Sequence, residues 1–558
     1  MRHTLLHRLH LALSLVVFVA GCTPVIVREQ PGAGEIAALP PEVSAERSRS
    51  RQAVKENDAP CKPIESAEAL EVDEGWVNNQ IIVTGPQEGI DRVLERARGL
   101  FSERSQPTEL APLGECPFTI AVDDEFRSAL QQRLRRQQSL SEEPVQRFAL
   151  QLFQFSSELS EQEVIQTIEE AAIESGQFVF ADRNYVTSGS HGVGCTKVGA
   201  LTHSVGNGPF GDPKLTAAAT EAEFMGQWAF DVLTGGAPLT DLLKSDAGQG
   251  VVVGVFDSAP VGFAAAALPF TLAFTDVLNQ AEVVKPAAAP PADHLANQHG
   301  IFVSSLINAI APGSEIHLYR TLDDHGCGTL QALEVALINF LQLGSGGKPM
   351  VVNLSLGIHV PQTAGEQWEE IFSLLLPTLD AYYSGVVVVA ANGNDSDQSL
   401  VFRPLRPAIY DYVLGVAATT PSGSRACYSN QGQSYLSGST IYYYDIAAPG
   451  GDAGPAEVDG ENHPCAPLVA QCPDQGDCPF GLLGRIEISG QPEKFAYWSG
   501  TSFATPLVSG VAAVCLAQAS SPMSPSQVIN LLRTAAVPVF QADLQSGILR
   551  LPSPCLPS

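Results

Sequence analysis

Between about residue 76 and residue 190, apolar and polar positions change places in short, regular bursts. Gln80-Ile81-Ile82-Val83-Thr84 has the composition of a strand, and Ile90, Val93, Leu94 and Ala97 then fall at i, i+3, i+4 and i+7, one face of a helix. Phe118 to Val122 alternates as a strand does, Arg127 to Gln138 is a polar helix or excursion, and Phe148 to Phe155 is the next strand. Ser160, with Glu163 three residues on, makes a capping box for a helix through Ser175. Phe178 to Val186 closes the unit. The order β-α-β-β-α-β predicts a small α+β, ferredoxin-like domain over residues 76–190.

From Gly250 the period changes. Val251 to Phe256, Val351 to Gly357, Val386 to Ala391 and Val413 to Ala418 are nearly continuous apolar runs, the pattern of strands buried on both faces of a parallel sheet. Ser314 to Arg320 and Tyr443 to Ala448 add two more strands. Between them lie apolar helices: one after His299, an amphipathic one over Leu330 to Leu343, and another ending near Gly385. Repeated βα units predict an α/β domain over residues 225–540 built on a doubly wound parallel sheet. Residues 451–497, rich in Asp, Pro, Gly and Cys, read as an insertion in it. Residues 191–224 read as a linker and 541–558 as a C-terminal tail.

Three polar side chains fall where this architecture gathers chemistry. Asp257 ends the first apolar strand, and sites in open α/β sheets collect at the carboxyl ends of strands. His299 introduces an apolar, small-residue helix; His294, five residues upstream, lacks that context. Ser502 sits in Gly500-Thr501-Ser502-Phe503-Ala504-Thr505-Pro506 at the start of another helix. There free N–H groups and the positive dipole end favour a developing oxyanion. Pro506 fits a first helical turn, which has no use for the missing N–H.

These segments, in this order, resemble the subtilisin-like serine peptidases (subtilases), whose nucleophile motif is G-T-S-x-A-T-P and whose chain order is Asp, His, Ser. The resemblance implies a serine endopeptidase: Ser502 as nucleophile, His299 as base and Asp257 as the group orienting it. It implies further that Asn394, in Asn392-Gly393-Asn394, is the oxyanion donor, while Asn392 lies where the family has a small residue walling the specificity pocket. Ser355-Leu356-Gly357 matches the stretch that pairs with extended substrate. An α+β unit preceding such a domain resembles the family's inhibitory propeptide, with the linker as the place of cutting. The partners implied are peptide or protein substrates and the chain's own propeptide domain. No cofactor is required. Many subtilases bind calcium, but no Asp-rich stretch here has a complete ligand spacing, and no metal ligand is assigned. Two departures, Ala259 for the usual Gly and Ile301-Phe302 for T-H, are the only support for an alternative, an inactive subtilase-fold lipoprotein that binds peptides or partners.

Composition narrows the setting. Of 558 residues 45% are hydrophobic and 16% charged, which describes a folded chain. A net charge of −29 argues against nucleic acid and against electrostatic adsorption to membranes. Residues 1–21 read as a signal peptide, with a basic start and a short apolar stretch. Val19-Ala20-Gly21-Cys22 resembles a bacterial lipobox, which implies lipid on Cys22, a tether over residues 22–75 and a place in the cell envelope, from which a cut catalytic fragment is released. No later run reads as long and apolar enough to span a membrane. The other ten cysteines fit disulfides in an oxidising compartment. Cys465, Cys472 and Cys478 are expected in loop disulfides, and Cys515 as a buried thiol.

Overall fold

The computed structural model describes residues 72–73, 76–121, 145–189 and most of 213–555, the larger gaps in the last stretch being 279–294, 359–385, 397–403 and 538–546. The signal peptide, Cys22, the polar stretch 127–138, most of the linker and the helix expected to end near Gly385 lie outside the described residues.

Among the described residues, seven strands form the parallel sheet. From one edge they run Ile446–Pro449, Val413–Thr419, Val386–Ala391, Met350–Leu354, Val252–Ser258, Glu315–Leu322 and Leu272–Asp276, each parallel to its neighbour. Alternation along the Val252–Ser258 strand explains why its sequence is apolar throughout. Val253 and Val255 pack with the helices His299–Ile310 and Thr501–Gln518. Val252 and Phe256 pack on the other face with Leu333, Leu337 and Phe340 of the helix Leu330–Leu343. The sheet is thus covered on both faces. The expected single strand over 351–357 is two, Met350–Leu354 and Leu356–Ile358, broken at Ser355.

The N-terminal unit has the strands Trp76–Pro86, Glu109–Ala121, Val145–Ser156 and Phe180–Gly189 and the helices Gln87–Glu103 and Glu161–Glu174. Its antiparallel sheet runs in the order fourth, first, third, second. Ile81 and Val83 pack against Ile90 and Val93 of one helix and Ile168 of the other. Both halves of the Ser160–Glu163 capping box are formed. The sheet does not stop there. Phe180–Gly189 pairs antiparallel with Cys327–Thr329 and with Leu356–Ile358, so the two sheets join.

Several expectations need correcting. Val72 and Asp73, read as tether, pair with Val77 and Trp76, and Lys214–Thr216, read as linker, pairs with Phe495–Tyr497. Cys515 is not a free thiol but bonds Cys555, pinning the C-terminal segment to the Thr501–Gln518 helix. That helix is itself long and apolar enough to cross a membrane, contrary to the sequence reading, yet it is buried in the protein from Thr501 to Leu516. Cys472–Cys478 is a loop disulfide, whereas Cys427 bonds Cys465 within the strand Glu461–Pro467. Cys116 and Cys327 are also disulfide-bonded.

Candidate active site

Asp257 is the penultimate residue of its strand and wholly buried. Its Oδ1 accepts hydrogen bonds from the Ser258 backbone N–H at 2.7 Å and from His299 Nδ1 at 2.7 Å. A carboxylate only accepts, so Nδ1 carries the proton and Nε2 is left as the basic nitrogen. Gly300 makes this approach possible. A Cβ there would collide with the Ser258 carbonyl oxygen and stand 2.9 Å from Asp257 Cβ, so only glycine lets the helix start so close to the strand end. Ser258 Oγ donates to the Ala296 carbonyl at 2.7 Å and ties the turn before His299 to the same strand. The imidazole is walled by Trp498 and by Phe503, with ring centroids 5.3 and 5.0 Å away.

Phe503 follows Ser502, which brings the serine segment to the histidine. Ser502 is the second residue of the Thr501–Gln518 helix and fully buried. Its hydroxyl donates to the Ser355 carbonyl at 3.0 Å, while Ser355 Oγ donates to the Ser502 carbonyl at 2.8 Å. The second bond corrects the reading of Pro506. Pro506 is the sixth helical residue, not part of the first turn. Its missing N–H would have gone to Ser502 O, four residues back, and Ser355 takes that place. Asn353 Nδ2 donates to Ser355 Oγ at 3.0 Å, and Ser509 Oγ donates to Asn353 Oδ1 at 2.8 Å. Ser509 was not singled out from the sequence, because its partner Asn353 lies 156 positions away.

Asn394 lies beside this helix start. Its Oδ1 accepts from both the Thr501 N–H and the Thr501 hydroxyl at 2.9 Å. That fixes the amide with Nδ2 on the other side, buried and without a hydrogen-bond partner. Asn392 is fully buried and its N–H bonds the Val416 carbonyl. The two departures at 301 and 302 are core positions: both are fully buried, and Phe302 packs at 4.7 Å on Phe503 and 5.7 Å on Trp498. Ala259 is also buried, and its carbonyl accepts from Arg320 Nε at 2.8 Å.

Leu356 and Gly357 face Gly189 and Ser188 across an antiparallel ladder, while Cys327 and Gly328 face Ser188 and Thr187 on the other side. An extended segment of the chain therefore lies in a slot between two strands, running toward Ser355 and Ser502.

A parallel α/β sheet with an aspartate–histidine pair at a strand end and a serine at a facing helix start defines the class of fold and site. A family model described as the subtilase family matches residues 248–550, more than half of the chain. The chain belongs to the subtilase family. It is 28% identical over 244 residues to a thermophilic serine proteinase of Bacillus sp. (strain AK1), covering 42% of this chain and 46% of the relative. With M-protease of Shouchella clausii (strain KSM-K16) the identity is 26% over 269 residues, covering 46% and 55%. The chain thus spans about half the length of these curated relatives. Among solved structures, a lanthipeptide protease aligns with a TM-score of 0.41 at 18% identity, over 60% of this chain and 94% of that one.

Proposed function

We propose that this protein is an exported serine endopeptidase in which Ser502 attacks the peptide carbonyl. His299 takes the hydroxyl proton and returns it to the leaving amine, while Asp257 holds the imidazole in the required tautomer. Asn394 Nδ2 and the Ser502 N–H receive the oxyanion. The observation that carries this reading is the buried 2.7 Å pair of His299 and Asp257 beside the Ser502 helix start. The unpartnered Asn394 donor supports it. The inactive alternative loses its motive, since Ile301 and Phe302 fill core space and do not replace any group of the site. Labelling with a fluorophosphonate, with Ser502→Ala as control, tests the reading; an unlabelled wild-type chain overturns it.

The N-terminal α+β unit is read as an inhibitory propeptide. Its last strand occupies the slot that an extended substrate would take, adding a strand between two edges. Lipid on Cys22 is the proposed anchor of the precursor. Mass spectrometry of the mature N-terminus tests it, and an unacylated Cys22 leaves only an ordinary signal peptide.

A further inference from the structure

The slot that receives an extended chain ends beside two glycines, Gly357 and Gly393, whose missing side-chain space is taken up by one leucine. In the observed register Gly357 faces Ser188 and Leu356 faces Gly189, so the next position along a bound chain comes opposite Ser355. Ser355 is the residue whose carbonyl receives the Ser502 hydroxyl, so that position of a bound chain lies beside the serine. The space beside it has two walls: the Leu356–Ile358 strand and the Asn392-Gly393-Asn394 turn that carries the unpartnered amide.

One segment bridges these walls. The Leu405 N–H donates to the Asn392 carbonyl at 2.8 Å, and the Ile358 N–H donates to the Arg406 carbonyl at 2.8 Å. The Leu405 side chain then occupies the room that glycines leave on both sides. A Cβ at Gly357 would stand 2.5 Å from Leu405 Cδ1, and one at Gly393 would stand 2.8 Å from Cγ and 2.9 Å from Cδ1. Leu405 is only part-buried, so it is not sealed in the core. The strand lying in the slot is itself small-residued toward this end, Thr187-Ser188-Gly189.

We propose that Leu405 sets the selectivity of this enzyme by filling the pocket beside the scissile carbonyl, so that the substrate residue on the carbonyl side of the cut bond is Gly, Ala or Ser. This rests on the serine peptidase reading. A larger side chain would have to displace an isobutyl group wedged between two backbones, and such a clash works against the larger substrate.

The test compares matched chromogenic peptides carrying Ala or Phe before the scissile bond, using the full chain after activation, with fluorophosphonate labelling in parallel. Wild type should favour Ala by at least about ten-fold in kcat/KM, the lower end of what one pocket contact distinguishes. Leu405→Ala, compared per fluorophosphonate-labelled serine, should raise the Phe-to-Ala ratio about ten-fold or more, with Leu405→Val falling between. Wild type that labels but cleaves the Phe peptide as well as the Ala peptide overturns the proposal by itself, without any variant having to fold. So does a labelled Leu405→Ala enzyme with an unchanged ratio. A wild-type serine that does not label at all removes the peptidase reading as well, so the two failures are distinguishable.

Discussion

At the scale of single residues, the two ends of the Asn394 amide do different jobs. Oδ1 holds Thr501 twice, and Nδ2 is left buried without an acceptor. A buried, unpaired donor costs about 1–3 kcal/mol, a cost offset in a peptidase by an acceptor that forms only in the transition state. Asn394→Ala should therefore lower kcat by about 10²–10³-fold with little change in KM, the usual range for one oxyanion donor. Because the Thr501 bonds go too, its melting temperature should also fall; full turnover in steady-state assays would exclude Nδ2 from the reaction. Gly300 belongs to the same scale. Gly300→Ala forces a methyl group into the Ser258 carbonyl, and such overpacking typically costs about 1–3 kcal/mol. It should depress both melting temperature and kcat by pushing His299 away from Asp257, whereas His299→Ala should abolish turnover and leave the fold intact.

At the scale of elements, the contact between the Phe180–Gly189 strand and the Leu330–Leu343 helix contains an uncompensated acid. Gln331 N–H donates to Asn184 Oδ1 across it at 3.1 Å, but Glu334, fully buried, has no partner for either carboxylate oxygen. Burial, and secondarily the charge of Asp182, push the Glu334 carboxyl well above its ordinary value near 4.5. A group whose pKa is raised in the packed state binds its proton more tightly there. Its contribution is complete below the ordinary value and is lost as pH rises through the packed-state value. The uncut Ser502→Ala precursor should therefore lose thermal stability as pH rises above about 4.5, and adding Glu334→Gln should flatten that slope. Identical slopes in melting curves across pH would show that Glu334 does not titrate at this contact.

At the scale of the whole molecule, the proposed order of parts would make anchoring and activity compete. On the proposed reading, lipid sits on Cys22, the inhibitory unit follows, and the peptidase domain comes last. A cut beyond Gly189 would separate the domain from its lipid unless docking or a disulfide still joined them. Cys327, in the strand beside the slot, is disulfide-bonded, and so is Cys116 in the N-terminal unit. Wild type should yield a catalytic fragment of about 350 residues, ordinary for such a domain, while Ser502→Ala stays full-length and membrane-bound. Fractionation followed by reducing and non-reducing gels checks both. Uncut wild-type chain found only in membranes would exclude release.

Local pattern carried much of this protein. Apolar runs free of alternation announced strands covered on both faces, and the capping box at Ser160 announced its helix, because period and caps are properties of neighbouring residues. The glycine–serine and asparagine motifs were legible for the same reason. What pairs with what was not. That Phe180–Gly189 enters the slot between Cys327–Thr329 and Leu356–Ile358, that Cys515 meets Cys555, and that Ser355 stands in for the N–H missing at Pro506 all depend on segments far apart in the chain. The reading that no later run could span a membrane failed at the Thr501–Gln518 helix, since a core helix and a membrane span share one composition. Leu405 looks like any loop leucine until the fold sets Gly357 and Gly393 on either side of it. Sequence period reports the environment of a position, whereas contact between distant positions is fixed only when the sheet closes and excluded volume selects one neighbour.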